Sequence, residues 1–421
     1  MNFFNRASLV VTANAFKESK IYSIKHDDGG GDLEVIRSTT ATRVNSLGLI
    51  ETMGANVPRL DYTGSTCPSI LVEPQRTNLL IQSNNFSDAG WVKTNVTAVQ
   101  SSTDFLNGEK AYLLAETTTN QVHYIARNTN VNIGSVNTYS IYFKKGSGTS
   151  APDIIRLRSL WNDAYVNFNI LTGVKLYQSA SVLSASITPC VNGWFRCTMT
   201  YTGLVNNTNS FFIQFVNNTN TSTNNITYAG NVNANVFVAG GQNEVGIKAT
   251  SYIQTTTATV THTADAITTK ESISKFIGQT SGVIYSNFNI TNNDQSNNKT
   301  IFSLDNNTGY ADYIGARILS NDSLDVIFKV QGSSITFNNM PKLTNGNHKI
   351  AIKYGSGVVK IFVNGSLIDV QNWTTPFGGL FYKLFLGKNL FASPYFNDRI
   401  KSVIIFNETL ADIECVSLTK L

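Results

Sequence analysis

The sequence predicts an all-β protein with two tandem antiparallel β-sandwiches, preceded by an extended, β-rich N-terminal segment. Short runs in which every second residue is apolar recur along most of the 421 residues, and a period of two is typical of strands with one buried face. Clusters of Gly, Asn and Ser separate these runs, as turns separate strands. No long stretch shows the 3.6-residue period of a helix.

The composition excludes several classes of function. Charged residues make up only 14% of the chain, below the usual quarter, and the net charge of +5 is small for this length. No basic run with interleaved aromatic residues occurs, so nucleic-acid binding is not predicted. No apolar run approaches the roughly 18 residues that span a bilayer, and the N-terminus lacks the pattern of a secretory signal peptide. We therefore expect neither membrane insertion nor export by that route.

Residues 1–84 are predicted to be a docking segment. Residues 37–78 hold too few alternating apolar residues to bury a core, and Pro58, Pro68 and Pro74 fix the backbone between short extended runs. Such a segment must be ordered by packing, either on its own downstream domain or on another subunit. The side chains expected to hold its runs, by contacts among arginines, carbonyls and carboxylates, are Arg43, Arg59, Asp61, Glu73 and Arg76.

Residues 85–265 are predicted to form the first sandwich. They contain a series of short alternating runs without helical periodicity, which favours an antiparallel sandwich of the jelly-roll kind. Residues 154–158 and 165–168 are two of these runs, and Trp194, which begins another, is expected to pack in the core.

Residues 266–278 are predicted to be a polar linker, and residues 279–421 a second sandwich. In the second sandwich, residues 348–354 and 358–363 form a hairpin through a glycine-containing turn, and Asn364-Gly365 is a type I′ turn signal. Residues 407–414 are expected to start a short helix.

The first 265 residues resemble the N-terminal part of many bacteriophage structural and appendage proteins. In those proteins, an N-terminal module precedes a jelly roll similar to a carbohydrate-binding module. The matching runs are residues 38–44, 48–51, 56–62, 67–68 and 71–80 in the module, and 240–246, 249–255 and 260–265 at the close of the jelly roll.

The C-terminal region resembles a concanavalin A-like sandwich of the laminin-G type. The matching pieces are residues 347–354, 363–365, 386–387, 400–403 and 410–414. The two resemblances together imply a virion protein that displays two lectin-like domains. A shared fold does not by itself establish sugar binding.

Sugar binding needs exposed aromatic rings beside amides and carboxylates, because a pyranose presents an apolar face and a rim of hydroxyls. The best local candidate is the run from Trp161 to Asp163 with Tyr165. The alternative for these aromatic residues is packing in a core or a domain interface. The full set of candidate glycan-binding residues is Trp161, Asn162, Asp163, Tyr165, Trp373, Tyr310 and Tyr313.

No catalytic constellation is evident, so we predict that the chain is not an enzyme. Glycosidases use paired carboxylates, and Asp305 with Asp312, or Asp153 with Asp163, are candidate pairs. Acidic residues in the loops of a chain of this length are nevertheless expected without catalysis.

We predict that the protein has no metal site. The four cysteines form no C-x-x-C pair, which excludes the usual zinc spacing. We expect free buried thiols, while pairing of Cys190 with Cys197 stays open. Residues 292–294 and 305–307 are candidate calcium loops, although Asn and Asp clusters are more often turns.

The function implied is that of a bacteriophage tail-fibre or head-fibre component, made in the host cytoplasm and carried on the virion. Residues 1–84 would dock on other virion proteins, and the two sandwiches would contact partner subunits or host surface glycans. Repeated copies in a homo-oligomer would give multivalent adhesion. The alternative is a glycan-degrading enzyme or a secreted lectin, and head or tail location stays open.

Overall fold

The computed structural model confirms the all-β prediction, with 54% of residues in strands and 5% in helices. It describes residues 3–26, 28–148, 153–160, 163–204, 207–217, 226–291, 298–306, 311–389 and 395–421, and only the backbone of 207–209. The chain divides into two compact units. Unit 1 comprises Met1–Ser46, Thr52–Gln75 and Thr263–Leu421, and unit 2 comprises Leu47–Glu51 and Arg76–His262.

The elements follow one another in chain order. The first helix and the strands before residue 92 are α1 (Phe3–Arg6), β1 (Leu9–Lys17), β2 (Lys20–Lys25), β3 (Leu33–Ile36), β4 (Ala41–Val44), β5 (Ile50–Met53), β6 (Arg59–Asp61), β7 (Ser69–Val72) and β8 (Arg76–Asn78). The strands from residue 92 to residue 262 are β9 (Val92–Thr94), β10 (Val96–Asp104), β11 (Lys110–Glu116), β12 (Asn120–Gln121), β13 (Tyr124–Val131), β14 (Val136–Lys145), β15 (Ile154–Ser159), β16 (Ala164–Asn169), β17 (Val174–Gln178), β18 (Val182–Pro189), β19 (Trp194–Thr202), β20 (Asn207–Phe215), β21 (Tyr228–Ala229), β22 (Asn235–Val245) and β23 (Val260–His262).

The remaining elements belong to the C-terminal part of the chain. They are β24 (Ala266–Thr269), β25 (Gly282–Ile290), β26 (Lys299–Asp305), β27 (Tyr313–Ile318), β28 (Leu324–Val330), β29 (Ser333–Ile335), β30 (Gly346–Gly355), β31 (Val358–Val363), β32 (Ser366–Asn372), β33 (Lys383–Leu386), β34 (Asp398–Phe406) and α2 (Asp412–Thr419). Short 3-10 turns occur at Val191–Gly193 and Ser274–Phe276.

Unit 2 is a sandwich of two six-stranded antiparallel sheets. Sheet I has the order β10-β11-β22-β14-β19-β18, and sheet II has the order β17-β16-β15-β20-β13-β9. Apolar residues from both sheets form one buried cluster, in which Tyr139 of β14 meets Phe211 of β20 with ring centroids 4.5 Å apart. One face of each sheet is therefore committed to the core, and the opposite face is left for other contacts.

Unit 1 is built on one long antiparallel sheet. Its strand order is β29-β28-β27-β26-β33-β24-β3-β2-β1-β34-β25-β30-β31-β32, with β6 and β7 joined beside β34. Strands far apart in this order contribute to the same core. For example, the rings of Phe328 in β28 and Tyr354 in β30 have centroids 5.8 Å apart. The sheet therefore doubles over a single core, as in a sandwich.

The structure divides the chain differently from the predicted boundaries of 1–84, 85–265, 266–278 and 279–421. The N-terminal strands β1–β3 lie within the long sheet of unit 1, between β34 and β24. Residues 266–278, predicted as a linker, contain β24, which pairs with both β3 and β33. The physical reason is backbone pairing between residues that are hundreds of positions apart, which leaves no local pattern in the sequence.

No helix among the described residues is long and apolar enough to cross a membrane.

Candidate functional site

The strongest candidate site lies on the outer face of sheet II in unit 2. Residues of β15 alternate between the two faces of this sheet, as strand geometry requires. Ile155 and Leu157 are fully buried in the core cluster, so Arg156 and Arg158 point to the opposite face. Two arginines thus stand side by side, roughly 7 Å apart along the strand.

The neighbouring strands add polar and aromatic side chains to the same face. In the ladder between β15 and β16, Arg156 pairs with Asn167 and Arg158 pairs with Tyr165. On the other side, β20 places Gln214 opposite Arg156 and Phe212 opposite Arg158. With Tyr177 of β17 and Tyr124 of β13 from the outer strands, these residues make up what we call the arginine–tyrosine face: Tyr124, Arg156, Arg158, Tyr165, Asn167, Tyr177, Phe212 and Gln214.

Stacked groups hold the arginine–tyrosine face in place. The guanidinium carbon of Arg156 lies 4.4 Å from the ring centroid of Tyr165, which in turn stacks on Tyr177 at 5.5 Å with an interplanar angle of 27°. The guanidinium of Arg158 lies 5.6 Å from the ring of Phe212. Such cation–π and ring contacts hold these planar groups in fixed orientations, and each contact contributes modestly to stability.

Burial shifts the protonation equilibria of this face. Burial is the largest influence on Arg156 and lowers its pKa to about 10, and the neighbouring charge of Arg158 acts in the same direction. Burial also lowers the pKa of Arg158, against a smaller opposing effect of Asp163. Burial, followed by its hydrogen bond to Tyr177, raises the pKa of Tyr165 to about 12. At neutral pH the Arg156 guanidinium is therefore charged and the Tyr165 hydroxyl is protonated.

Among the described residues, two buried polar atoms of this face have no hydrogen-bond partner. Arg156 Nε donates to Asn167 Oδ1 at 2.8 Å, which sets the orientation of that amide and leaves Asn167 Nδ2 without an acceptor. Gln214 Oε1 is likewise without a donor. Both side chains are at most 1% exposed. A buried polar group without a partner is costly, so each of these atoms is a natural contact for a ligand hydroxyl.

The turn before β16 supports the arginine–tyrosine face. The hydroxyl of Ser179 donates to the carbonyl of Asp163 at 2.9 Å and accepts from the amide of Tyr165 at 3.0 Å. This places two of the predicted glycan-binding residues, Asp163 and Tyr165, at the candidate site. Trp161 and Asn162, predicted with them, lie outside the described residues.

The other predicted glycan-binding residues lie in unit 1. Trp373 is packed against Phe328, Tyr354 and Phe377, with centroid distances of 5.6, 5.5 and 5.1 Å. Tyr313 is 1% exposed within β27. Both side chains thus pack in the core of unit 1, which is the alternative role that the sequence left open. Neither of them belongs to the arginine–tyrosine face. Tyr310 lies outside the described residues.

The arginines of the predicted docking segment have partners inside unit 1. Arg59 is fully buried and donates to Glu73 at 2.6 Å and to Asp265. Arg37 donates to the other oxygen of Asp265 at 2.8 Å, and the amide of Glu73 also donates to Asp265. We call Arg37, Arg59, Glu73 and Asp265 the buried ion network. It satisfies its charges within the chain, and docking of another protein on this segment stays a prediction.

The remaining residues of the predicted docking set make separate contacts. Arg43 donates to the carbonyl of Leu60 at 3.0 Å, and Asp61 pairs with Arg399 at 2.6 Å. Arg76 belongs to unit 2, where its backbone pairs with His262. A Cβ at Gly246, which has φ +139°, would lie 2.9 Å from Arg76 Nε, so only glycine lets the guanidinium approach there.

One carboxylate of each candidate pair is engaged in structural contacts. Asp312 accepts hydrogen bonds from Asn306, Gln331 and Gly378 at 2.9–3.1 Å, and Asp153 pairs with Lys145 at 2.5 Å. In the part of the chain that the structure describes, no group of three His, Cys, Asp or Glu residues could hold a metal ion. The candidate calcium residues 292–294 and 307 lie outside the described residues.

All four cysteines are free, which confirms the prediction of free thiols. Cys197 and Cys415 are buried, as expected. The expectation of burial is wrong for Cys67, which is exposed, and Cys190 is half-buried. Cys67 lies in the loop between β6 and β7, where no core covers it.

The sequence reasoning missed most of the arginine–tyrosine face. A signal was present: in residues 154–158 the apolar positions 155 and 157 alternate with arginines, and in residues 165–168 Tyr165 and Asn167 share one face. Combining the two runs as a hairpin would have placed these four polar side chains together. The contributions of Phe212 and Gln214 depend on the pairing of β15 with β20, which the sequence does not reveal.

Similar folds occur among solved structures, whereas no family model and no curated protein matches the sequence. The carbohydrate-binding module of the Ruminococcus gnavus IT-sialidase, bound to α2,3-sialyllactose, is 17% identical, with a TM-score of 0.31 over 36% of this chain and 91% of that chain. Domain 4 of an extracellular arabinanase from Geobacillus stearothermophilus, in complex with arabinotriose, is 14% identical, with a TM-score of 0.31 over 41% and 82%. A pentraxin from Limulus polyphemus is 12% identical, with a TM-score of 0.25 over 32% and 68%. Similarities at such TM-scores do not establish what this chain binds.

Proposed function

We propose that this protein binds glycans through the arginine–tyrosine face of unit 2. The observation that carries the proposal is the presence of two unpartnered buried amide atoms, Asn167 Nδ2 and Gln214 Oε1, beside stacked rings on the face of the sheet that does not form the core. A donor and an acceptor next to apolar rings suit a sugar, which offers both hydroxyls and an apolar ring face. Ligand sites in general combine apolar walls with a few fixed polar groups.

The finer proposal is that the protein is a bacteriophage tail-fibre or head-fibre component that adheres to host surface glycans. It is supported by the resemblance of residues 38–80 and 240–265 to phage appendage proteins. Copies in a homo-oligomer would turn weak single sites into strong attachment. Labelling intact particles with an antibody against the chain tests this finer proposal, and absence of the chain from particles would contradict it.

We propose further that the protein binds glycans without cleaving them. Two of the four carboxylates considered for catalysis support this, because Asp312 is held by three N–H donors and Asp153 by Lys145. The contrary function is that of a glycan-degrading enzyme, which would release reducing ends from any glycan that the protein binds.

A glycan array probed with the full chain tests the glycan-binding proposal. Wild type is expected to bind a subset of glycans, and Tyr177→Ala should weaken that binding roughly three- to tenfold, because the variant removes the ring that supports Tyr165. Tyr382→Ala is the matched control, since Tyr382 is 45% exposed and lies in unit 1. Its binding should equal that of wild type.

If wild type bound no glycan on the array, the glycan-binding proposal would be contradicted. If the Tyr177→Ala variant bound glycans as tightly as wild type, the protein would still be a glycan-binding protein, but its site would lie outside the arginine–tyrosine face.

A further inference from the structure

We infer that β10 is an interface between two copies of this chain, which pair edge to edge so that sheet I of one copy continues into sheet I of the other. β10 (Val96–Asp104) ends the strand order of sheet I and, among the described residues, pairs with a single strand, β11. The inference concerns assembly and is independent of the ligand that the arginine–tyrosine face binds.

The part of this edge that can accept another strand runs from Val96 to Gln100. Each of its residues pairs in register with a residue of β11, so the strand is regular here and its remaining backbone groups face outward. Beyond Gln100 the register shifts, and the carbonyl of Ser102 accepts a hydrogen bond from Lys110 at 3.2 Å. A further strand can therefore add to β10 over a stretch as long as an ordinary strand.

This stretch lacks the residues that protect the other sheet edges of unit 2. The other edge strands of the two six-stranded sheets are β9, β17 and β18, and they contain Lys93, Lys175 and Pro189. Lysine and proline at an edge oppose pairing with another chain. Between Val96 and Gln100, β10 contains neither of them and has no charged residue. It is therefore the edge of unit 2 that is best suited to accept a strand.

An apolar row on the outer face of sheet I ends at this edge. Val99 is 61% exposed and pairs with Leu113 of β11, which pairs with Phe237 of β22. The residues on either side of Leu113 and Phe237 in their strands belong to the core, so these side chains point to the opposite face. Leu113 and Phe237 are half-buried, whereas Val99 has a strand on one side only. A second copy at this edge would cover Val99 and continue the row.

The stretch is complementary to itself. In an antiparallel pair centred on Ala98, Thr97 lies opposite Val99 of the second copy. Val96 then lies opposite Gln100 of the second copy, so no like charges meet. The Val99 side chains of the two copies become diagonal neighbours on the outer face, roughly 7 Å apart. Because a two-fold axis uses the same edge of both copies, the assembly closes as a dimer, and its small interface predicts weak association.

The first test is the mass of the full chain in solution. Sedimentation equilibrium over micromolar to submillimolar concentrations should show a reversible monomer–dimer equilibrium. Val99→Lys should raise the dissociation constant about fivefold or more, because it removes the apolar contact and brings two like charges together. Leu183→Lys is the matched control, since Leu183 is 57% exposed on β18, the other edge strand of sheet I. Its dissociation constant should equal that of wild type.

The second test is cross-linking, which puts no charge on the edge. In a Cys67→Ser background, which removes the exposed native thiol, Val99→Cys gives each copy one new exposed thiol. A short bis-maleimide should join two such chains into a covalent dimer, because the two positions are close across the axis. Leu183→Cys in the same background is the control and should stay monomeric at the same concentration. Thermal melting of every variant checks that it folds.

Three results would overturn the interface. The first is a full chain that sediments as a monomer at every concentration. The second is a dimer as stable in Val99→Lys as in wild type, which would place the association at another surface. The third is equal cross-linking of the Val99→Cys and Leu183→Cys variants, which random collision would explain. None of these results bears on the glycan array, which tests the proposed function separately.

Discussion

Two fully buried arginines of this protein have opposite electrostatic surroundings. Burial, the largest influence, would lower the pKa of Arg59, but the carboxylates of Asp265 and Glu73 outweigh it and raise that pKa. For Arg156, burial prevails and the pKa falls to about 10. Arg59 is thus compensated inside the fold and has a structural role. Arg156 is held by Tyr165 and Asn167 on the arginine–tyrosine face, where we propose that the ligand binds.

The first prediction at the residue scale concerns Arg59. Arg59→Met leaves Glu73 and Asp265 buried with less positive charge, so unit 1 should lose about 3–5 kcal/mol of its free energy of unfolding. Denaturant unfolding of the full chain measures this loss. Lys17→Met is the matched control: its pair with Glu18 has side chains 78% and 69% exposed, and its effect should stay within about 0.5 kcal/mol. An Arg59→Met variant as stable as wild type would show that the buried ion network does not hold the segment.

At the scale of elements, the N-terminal strands are part of the C-terminal sheet. In β1, Leu9 pairs with Ile405 and Val11 with Val403 of β34, and Leu9, Val11 and Ile21 are fully buried in the core of unit 1. These strands therefore complete a sheet that would otherwise expose the edges of β34 and β24. Exposed edges of this length favour aggregation.

The prediction at this scale is that Leu9→Ala destabilises unit 1 by about 2–5 kcal/mol, because it leaves a cavity in a core shared with C-terminal strands. Leu183→Ala, at a side chain 57% exposed in β18, should change the free energy of unfolding by less than about 0.5 kcal/mol. Thermal or denaturant unfolding of both variants measures the difference. If Leu9→Ala proved as harmless as its control, residues 1–36 would be an appendage rather than part of the sheet.

Local patterns predicted which strands exist, but not which strands pair. The apolar alternation at residues 154–158 and 348–354 became β15 (Ile154–Ser159) and β30 (Gly346–Gly355), because side-chain periodicity is set within one strand. The pairing of β1 with β34 joins residues about 400 positions apart, and nothing local encodes it. For the same reason the sequence offered Glu73 as a partner of Arg59 but not Asp265, which lies 206 residues away.

The candidate site was predictable in part, for the same physical reason. Asp163 and Tyr165 were found because an aromatic residue, an amide and a carboxylate adjoin in the sequence. Gln214 and Phe212 come from a strand some 50 residues later and reach the site through the ladder between β15 and β20. Trp373 was the opposite case: as an isolated tryptophan it resembled a ligand contact, yet it packs in a core of aromatic rings.

At the scale of the whole molecule, we propose that the two units have different roles. Unit 1 uses its buried ion network and its long sheet to order the N-terminal segment together with the C-terminal strands. Unit 2 keeps one face of sheet II for arginines, amides and tyrosines, while the other face forms its core. We propose that unit 2 carries recognition, which repeated copies in a homo-oligomer would multiply.

The most direct test of this assignment is a crystal structure of the full chain with the glycan that binds it most tightly. We predict electron density for the sugar on the arginine–tyrosine face, with an oxygen within hydrogen-bond distance of Asn167 or Gln214. Density for the sugar elsewhere in the chain, with this face unchanged, would contradict it.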